Sequence, residues 1–135
     1  MDDVMMQHLL RVARRIKDEK LPYSQQVFFN ECGAAACLVG YACCDDAFRH
    51  AGLRIGGKRS LYPIFGTEGD EWQGLDAMIN LLGLNWEQGI YIFGSAREIA
   101  DLVQHHFGPA PIEDYASVDN MVKRVERVMA GRFAD

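Results

Sequence analysis

Four cysteines lie between residues 32 and 44. Their thiols could act as nucleophiles or as metal ligands. Cys32 lies where we predict a helix to begin, so the helix dipole would lower its thiol pKa and favour it as a nucleophile. A catalytic cysteine also needs a base, and no local motif supplies one. A thiol enzyme is therefore an alternative to a protein in which these cysteines pack in the core.

Zinc binding is the second chemistry that these cysteines could support. Along a helix that rises about 1.5 Å per residue, Cys37 and Cys44 share a face but lie roughly 10 Å apart, too far to share one ion. Cys32 and Cys37 form the workable pair. The remaining ligands would have to come from histidines elsewhere in the chain, such as His50, His105 and His106. We favour packing thiols without a metal or other cofactor, with Cys32 and Cys37 as the alternative metal ligands.

A cationic window is the main electrostatic feature of this 135-residue chain, whose formal net charge is −5. Residues 47–67 include no acidic residue and carry +4, so the remainder carries −9. The basic residues of the window are Arg49, Arg54, Lys58 and Arg59, and the aromatic residue Tyr62 follows them. Guanidinium groups hold phosphate or carboxylate and rings stack on bases, which predicts a site for an anionic small molecule or an acidic protein surface. The acidic balance of the whole chain argues against general nucleic-acid binding.

The elements that position these residues are predicted from helical spacing and capping signals. A first helix opens at Asp2 and Asp3 and stops before Pro22. A central helix, which carries the cysteines, begins at Asn30 or Cys32 and ends at Ala51-Gly52. Further helices are predicted from Trp72 to Leu82 behind a Thr67–Asp70 cap, from Asn85 to Phe93, from Ser95 to Phe107, and from Ser117 or Asp119 to Gly131.

The fold class that follows is all-α: residues 1–135 form a single domain, a compact orthogonal bundle of five to six helices. Residues 53–62 contain two short runs around Gly56-Gly57, which allow either a small β-hairpin or an irregular loop. No segment approaches the roughly 20 apolar residues of a membrane span, and the charged start does not resemble a secretory signal. We therefore predict a cytoplasmic protein with no membrane partner, in which the cysteines are thiols.

The cysteine-rich stretch also resembles the signature of a known family. From Cys32 to Ala42 it reads Cys-Gly-x-x-Ala-Cys-Leu-x-Gly-Tyr-Ala, similar to the Cys-Gly-Thr-x-Ala-Cys-Ile-x-Gly-Trp-Ala of a family of small uncharacterised phage and actinobacterial proteins. Ala34 replaces the usual threonine and Tyr41 the usual tryptophan, and either ring is large with a polar tip. The resemblance implies an α-rich fold and a phage or mobile-element setting, and it implies no particular reaction.

Three functional hypotheses follow. The first is a non-enzymatic binding module of phage type, which sequesters an anionic small molecule such as a nucleotide signal or blocks a host protein. The second is a thiol- or zinc-dependent regulatory or catalytic protein that uses Cys32 and Cys37. The third is a structural or interaction protein without a small ligand, whose apolar patch at Val27, Phe28 and Phe29 meets a partner or a second copy of the chain.

Overall fold

The computed structural model describes residues 1–25, 37–57, 61–67, 69–108 and 114–132. Within these ranges the chain forms seven helices and three strands, which we number in chain order. The helices are α1 (Asp3–Asp18), α2 (Leu38–Cys43), α3 (Asp46–His50), α4 (Leu75–Leu82), α5 (Trp86–Phe93), α6 (Ala96–Phe107) and α7 (Val118–Met129). The strands are β1 (Arg54–Gly56), β2 (Tyr62–Thr67) and β3 (Asp70–Gln73). The mainly helical prediction is confirmed, whereas the orthogonal arrangement and the single domain stay predictions.

The first and last helices pack against each other. The Asp2 side chain caps α1 by accepting a 3.1 Å hydrogen bond from the Met5 N–H, and Ser117 caps α7 in the same way through the Asn120 N–H. Both starts agree with the prediction, because side-chain oxygens satisfy the orphan donors of a helix's first turn. The apolar side chains that the two helices bury are Met6, Leu9, Val12, Ala13, Ile16, Met121, Val122, Val125 and Val128.

The predicted central helix is wrong in its continuity, because α2 ends at Cys43 and a new helix begins at Asp46. The Asp45 side chain caps α3 by accepting the Ala47 N–H, and its two oxygens receive bonds of 3.0 Å each from the Arg11 guanidinium of α1. Burial tends to raise the pKa of the Asp45 carboxyl, but the Arg11 bonds and charge outweigh it and lower the pKa. The bidentate ion pair between Arg11 and Asp45, which are 34 residues apart in the sequence, thus favours the break between α2 and α3. Residues 30–36 of the predicted helix lie outside the described ranges.

The strands form one antiparallel sheet in the order β1-β2-β3. A hairpin is present in this region as the β1–β2 pair, in which Ile55 lies opposite Pro63. Its predicted bounds are wrong, because Gly56 lies in β1 rather than in the turn and β2 extends from Tyr62 to Thr67, beyond residue 62. The third strand was not predicted, and the assignment of Trp72 to a helix is wrong. Trp72 pairs with Phe65 on β2, and their rings stack with centroids 6.0 Å apart. Tyr62, the aromatic residue of the predicted anion site, also lies in β2.

Local signals correctly mark both ends of α5 and α6 and the end of α4. The predicted Thr67–Asp70 cap of α4 is wrong, because α4 begins at Leu75 after Gly74. Asn85 with Gln88 and Ser95 with Glu98 form complete capping boxes at the starts of α5 and α6. Gly83, whose φ is +65°, ends α4 in the left-handed conformation that glycine adopts without strain. None of the helices in the described part of the chain is both long enough and apolar enough to cross a membrane.

Candidate functional site

Two of the predicted cationic residues line one cleft between α3 and β1. After α3 ends, Gly52 turns the chain with a φ of +106°, and buried Leu53 donates its N–H to the Phe48 carbonyl at 3.0 Å. The turn sets Arg49 on one side and Arg54 on the other. The cleft, which we call the α3–β1 cleft, has a volume of about 380 Å³ and is lined by Cys43, Cys44, Arg49, Leu53, Arg54 and Ile55. The sequence window therefore converges in part on one concave surface.

The Arg54 guanidinium is already paired with another residue of the chain. In the sheet register it lies beside Ile64, and the next residue on the same face of β2 is Gly66, which has no side chain. Arg54 extends over Gly66, donates to its carbonyl at 2.8 Å, and pairs with the Glu71 carboxylate of β3, also at 2.8 Å. This cross-strand pair orients the guanidinium and offsets its charge. Arg54 is thus weaker as an anion ligand than the sequence predicted.

Arg49 is the freely available cation of the α3–β1 cleft. It is exposed at the end of α3, and its side chain has no ion-pair or hydrogen-bond partner among the described residues. An unpaired guanidinium at a concave surface can give all of its donors to a ligand. Tyr62 lies on the same sheet face as Arg54 but does not line the cleft. Lys58 and Arg59 lie outside the described residues.

The three cysteines within the described ranges divide into two buried thiols and one exposed thiol. Burial raises the pKa of the Cys37 thiol, although the N–H groups of Gly40 and Val39 at the start of α2 oppose the rise. Burial also raises the pKa of Cys43, to about 12. Both are therefore neutral packing groups at ordinary pH, whereas Cys44 is exposed in the α3–β1 cleft.

The zinc alternative gains no support from the part of the chain that the structure describes. Cys37 is the cap of α2 and Cys44 follows the end of that helix, so they do not share a continuous helical face as predicted. Across the five described ranges, no three His, Cys, Asp or Glu side chains gather where they could hold a metal ion. His106 instead contacts Glu87, at 3.0 Å between its Nε2 and the carboxylate. Cys32, the proposed partner of Cys37, lies outside the described residues, so that pair stays a prediction.

A buried polar cluster was missed by the sequence analysis. Gln25 and Arg124 are the two buried polar or charged residues among those described. Arg124 donates to the Gln25 side-chain oxygen at 3.2 Å, and the Tyr23 hydroxyl donates to the same oxygen. The Gln25 amide nitrogen donates to the carbonyls of Ile92, at 3.3 Å, and Gly94, at 2.8 Å. Burial raises the pKa of Tyr23, and the Arg124 charge opposes that rise.

The signal for this cluster is present in the α7 sequence. Arg124 lies three residues after Met121 and four before Val128, both of which are buried on the core face. A charged residue at that spacing on an apolar helical face predicts a buried partner. The partner could not be identified in the same way, because Gln25 is 99 residues away in the sequence.

Comparison with known proteins adds no family to this geometry. No protein-family model matches the chain, and no curated protein or solved structure matches it either. The resemblance to the phage and actinobacterial family through Cys32-Gly33 and the following motif therefore stays a prediction, as does the functional setting that it implies.

Proposed function

We propose that this protein is a non-enzymatic binding module whose α3–β1 cleft takes the anionic group of a small molecule or of an acidic protein segment. The observation that carries the proposal is the exposed Arg49 guanidinium at a concave surface, with no partner among the described residues. A guanidinium fork matches the oxygens of phosphate and carboxylate groups. The small molecule or segment is held by that charge and by shape rather than by a reaction.

The neighbouring residues support a ligand with an apolar part next to its charge. Leu53 is buried below the cleft, and Ile55 on β1 is 42% exposed beside it. A base or another ring would cover the exposed part of Ile55 while its phosphate meets Arg49. Arg54, held by Glu71, supplies a weaker second positive group. Nucleotides have this combination of ring and phosphate, so they are the first ligands to test.

The biological role that we attach to this activity rests on the motif resemblance. A phage-type accessory protein of this kind would sequester a nucleotide signal or block a host protein. The two roles differ in what the cleft binds, because a nucleotide presents one compact anion whereas a protein surface presents several carboxylates. The same variants test both.

Calorimetric titration with adenosine and guanosine mono-, di- and triphosphates tests the small-molecule activity. We expect the parent protein to bind at least one of them, and Arg49→Gln to bind it about fivefold more weakly or worse, because one charged contact is lost. Arg97→Gln is the matched control. Arg97 is exposed on α6, so its substitution changes the net charge by the same amount outside the cleft.

Two results would count against the proposal. Equal binding by Arg49→Gln and the parent would move the site away from the α3–β1 cleft. If no nucleotide binds to the parent, the small-molecule form of the proposal fails. Co-purification of host proteins with the parent and with Arg49→Gln then tests the acidic-protein form, which requires a partner that the variant loses.

A further inference from the structure

A second cleft is formed by residues 123–132, at the end of α7. Its volume is about 330 Å³, and its lining residues are Lys123, Glu126, Arg127, Ala130 and Arg132. We call it the α7 cleft. It shares no residue with the α3–β1 cleft, and the cationic window of the sequence does not include it. Three of its five lining residues are cations, although the chain as a whole has a net charge of −5.

The backbone directs these cations toward the same place. Lys123 and Arg127 are one helical turn apart and so lie on one face of α7. After the helix ends, Gly131 adopts a φ of +70° and reverses the chain. The Arg132 N–H then donates to the Arg127 carbonyl at 2.9 Å. The reversal returns Arg132 to the last turn of the helix, beside the other two cations.

The Arg127 guanidinium is held in position from a second helix. Its Nη1 donates to the Tyr91 hydroxyl of α5 at 3.0 Å, and Tyr91 is buried. A guanidinium that is already oriented loses less side-chain entropy when it binds a ligand than a freely rotating one does. The α7 cleft therefore has one fixed cation and two exposed cations, Lys123 and Arg132.

The negative groups that the structure describes at the α7 cleft have contacts of their own. The Glu126 carboxylate lies 3.8 Å from the Arg14 guanidinium of α1. The carbonyls of Glu126, Arg127 and Val128, which carry the negative end of the helix dipole, accept hydrogen bonds from the turn after the helix. These bonds reduce the repulsion that an incoming anion would meet at a helix C-terminus.

We propose that the α7 cleft binds a phosphate group, supplied either by inorganic phosphate or by a phosphorylated small molecule. A doubly charged oxyanion matches two guanidinium groups and an ammonium group better than a single carboxylate does. A cleft of this volume accepts a phosphate monoester with a small organic part. The site is independent of the proposed function, because either cleft can bind while the other does not.

Amide NMR titration of the labelled protein tests the proposal and locates the site. The probes are inorganic phosphate and AMP, added at constant ionic strength with chloride as the compensating anion. We expect the amides of residues 123–132 to shift with phosphate. Arg132→Gln and Lys123→Gln should each weaken binding about fivefold or more, because each removes one charged donor. Tighter binding of AMP than of phosphate would assign the ligand class to phosphorylated small molecules, and equal binding would assign it to the free ion.

The positions of the shifting amides separate this site from the α3–β1 cleft, and Arg97→Gln is the control for net charge. It removes the same charge from an exposed position on α6, so we expect phosphate to bind it within about twofold of the parent. Shifts confined to other residues would overturn the proposal. Parent-like binding by Arg132→Gln and Lys123→Gln, or equal shifts with chloride alone, would overturn it as well. If the parent binds no nucleotide, the small-molecule form of the proposed function fails, and the shifts with inorganic phosphate still decide this proposal.

Discussion

Replacing Gln25 by methionine removes a set of core hydrogen bonds while nearly conserving side-chain volume. The Gln25 side chain donates to the Ile92 and Gly94 carbonyls at the end of α5, and accepts from Tyr23 and from the buried Arg124 of α7. It therefore links the segment after α1 to two helices. Methionine keeps the length of the side chain and can make none of these bonds.

The expected cost follows from the type of each bond. The three neutral bonds contribute about 1 kcal/mol each, and the bond from the Arg124 guanidinium about 2 kcal/mol. Their sum is about 5 kcal/mol. The bonds to Ile92 and Arg124 are long, at 3.3 and 3.2 Å. Methionine also recovers some free energy from apolar burial. We expect the free energy of unfolding to fall by about 3 kcal/mol.

Equilibrium unfolding in urea, followed by circular dichroism, measures this loss. Gln104→Met is the matched control, because Gln104 is exposed on α6 and should change stability by no more than about 0.5 kcal/mol. A loss below about 1 kcal/mol for Gln25→Met, or one equal to the control, would refute the reasoning. It would mean that the buried polar cluster contributes little to stability and that Arg124 is compensated without Gln25.

Three further predictions concern the sheet and the buried thiols. Gly66→Ala should cost about 3 kcal/mol in urea unfolding, because φ is +118° and the new Cβ would meet the β3 backbone at 2.7 Å, whereas Gly69→Ala, with open space around it, should cost about 1 kcal/mol. The folded protein keeps the Cys43 thiol protonated to a higher pH than the unfolded chain does, so the free energy of unfolding should fall as pH rises from about 8.5 toward about 12. Cys43→Ala should reduce the slope of that fall by up to about 1.4 kcal/mol per pH unit. A double-mutant cycle on Arg54 and Glu71 should give a coupling below about 1 kcal/mol that disappears in high salt, because both side chains are partly exposed.

Each of these has an outcome that contradicts it. Equal losses for the two glycine variants would show that the β2–β3 turn tolerates a side chain at Gly66. Identical slopes of stability against pH for the parent and Cys43→Ala would mean that the Cys43 thiol ionises as easily in the folded protein as in the unfolded chain. A salt-insensitive coupling would show that the pair of Arg54 and Glu71 is shielded from solvent more than its exposure indicates.

The parts of the fold that were predictable are those whose signals are local. Ser95 with Glu98 and Asn85 with Gln88 are complete capping boxes in the sequence, and each begins a helix in the structure. The break before α3 also had a local signal, because Asp45 is a good capping residue followed by an acidic first turn. That signal was outweighed by the apolar spacing of the flanking residues.

The parts that could not be predicted depend on contacts between distant residues. Trp72 precedes Leu75 and Met78 at a helical interval, and only its pairing with Phe65 makes it a strand residue. For the candidate site, the structure places Arg49 and Arg54 of the sequence window along one cleft. The compensation of Arg54 by Glu71 depends on the register of three strands, which no local pattern determines.

The packing of α1 against α7 has a consequence for how the protein is made. α1 leaves the ribosome about a hundred residues before α7, so the apolar face of α1 that packs against α7 stays exposed until α7 has been synthesised. During that interval the face is available to chaperones or to other nascent chains. Burial of this face of α1 should therefore be limited by the synthesis of α7 rather than by the intrinsic speed of helix formation.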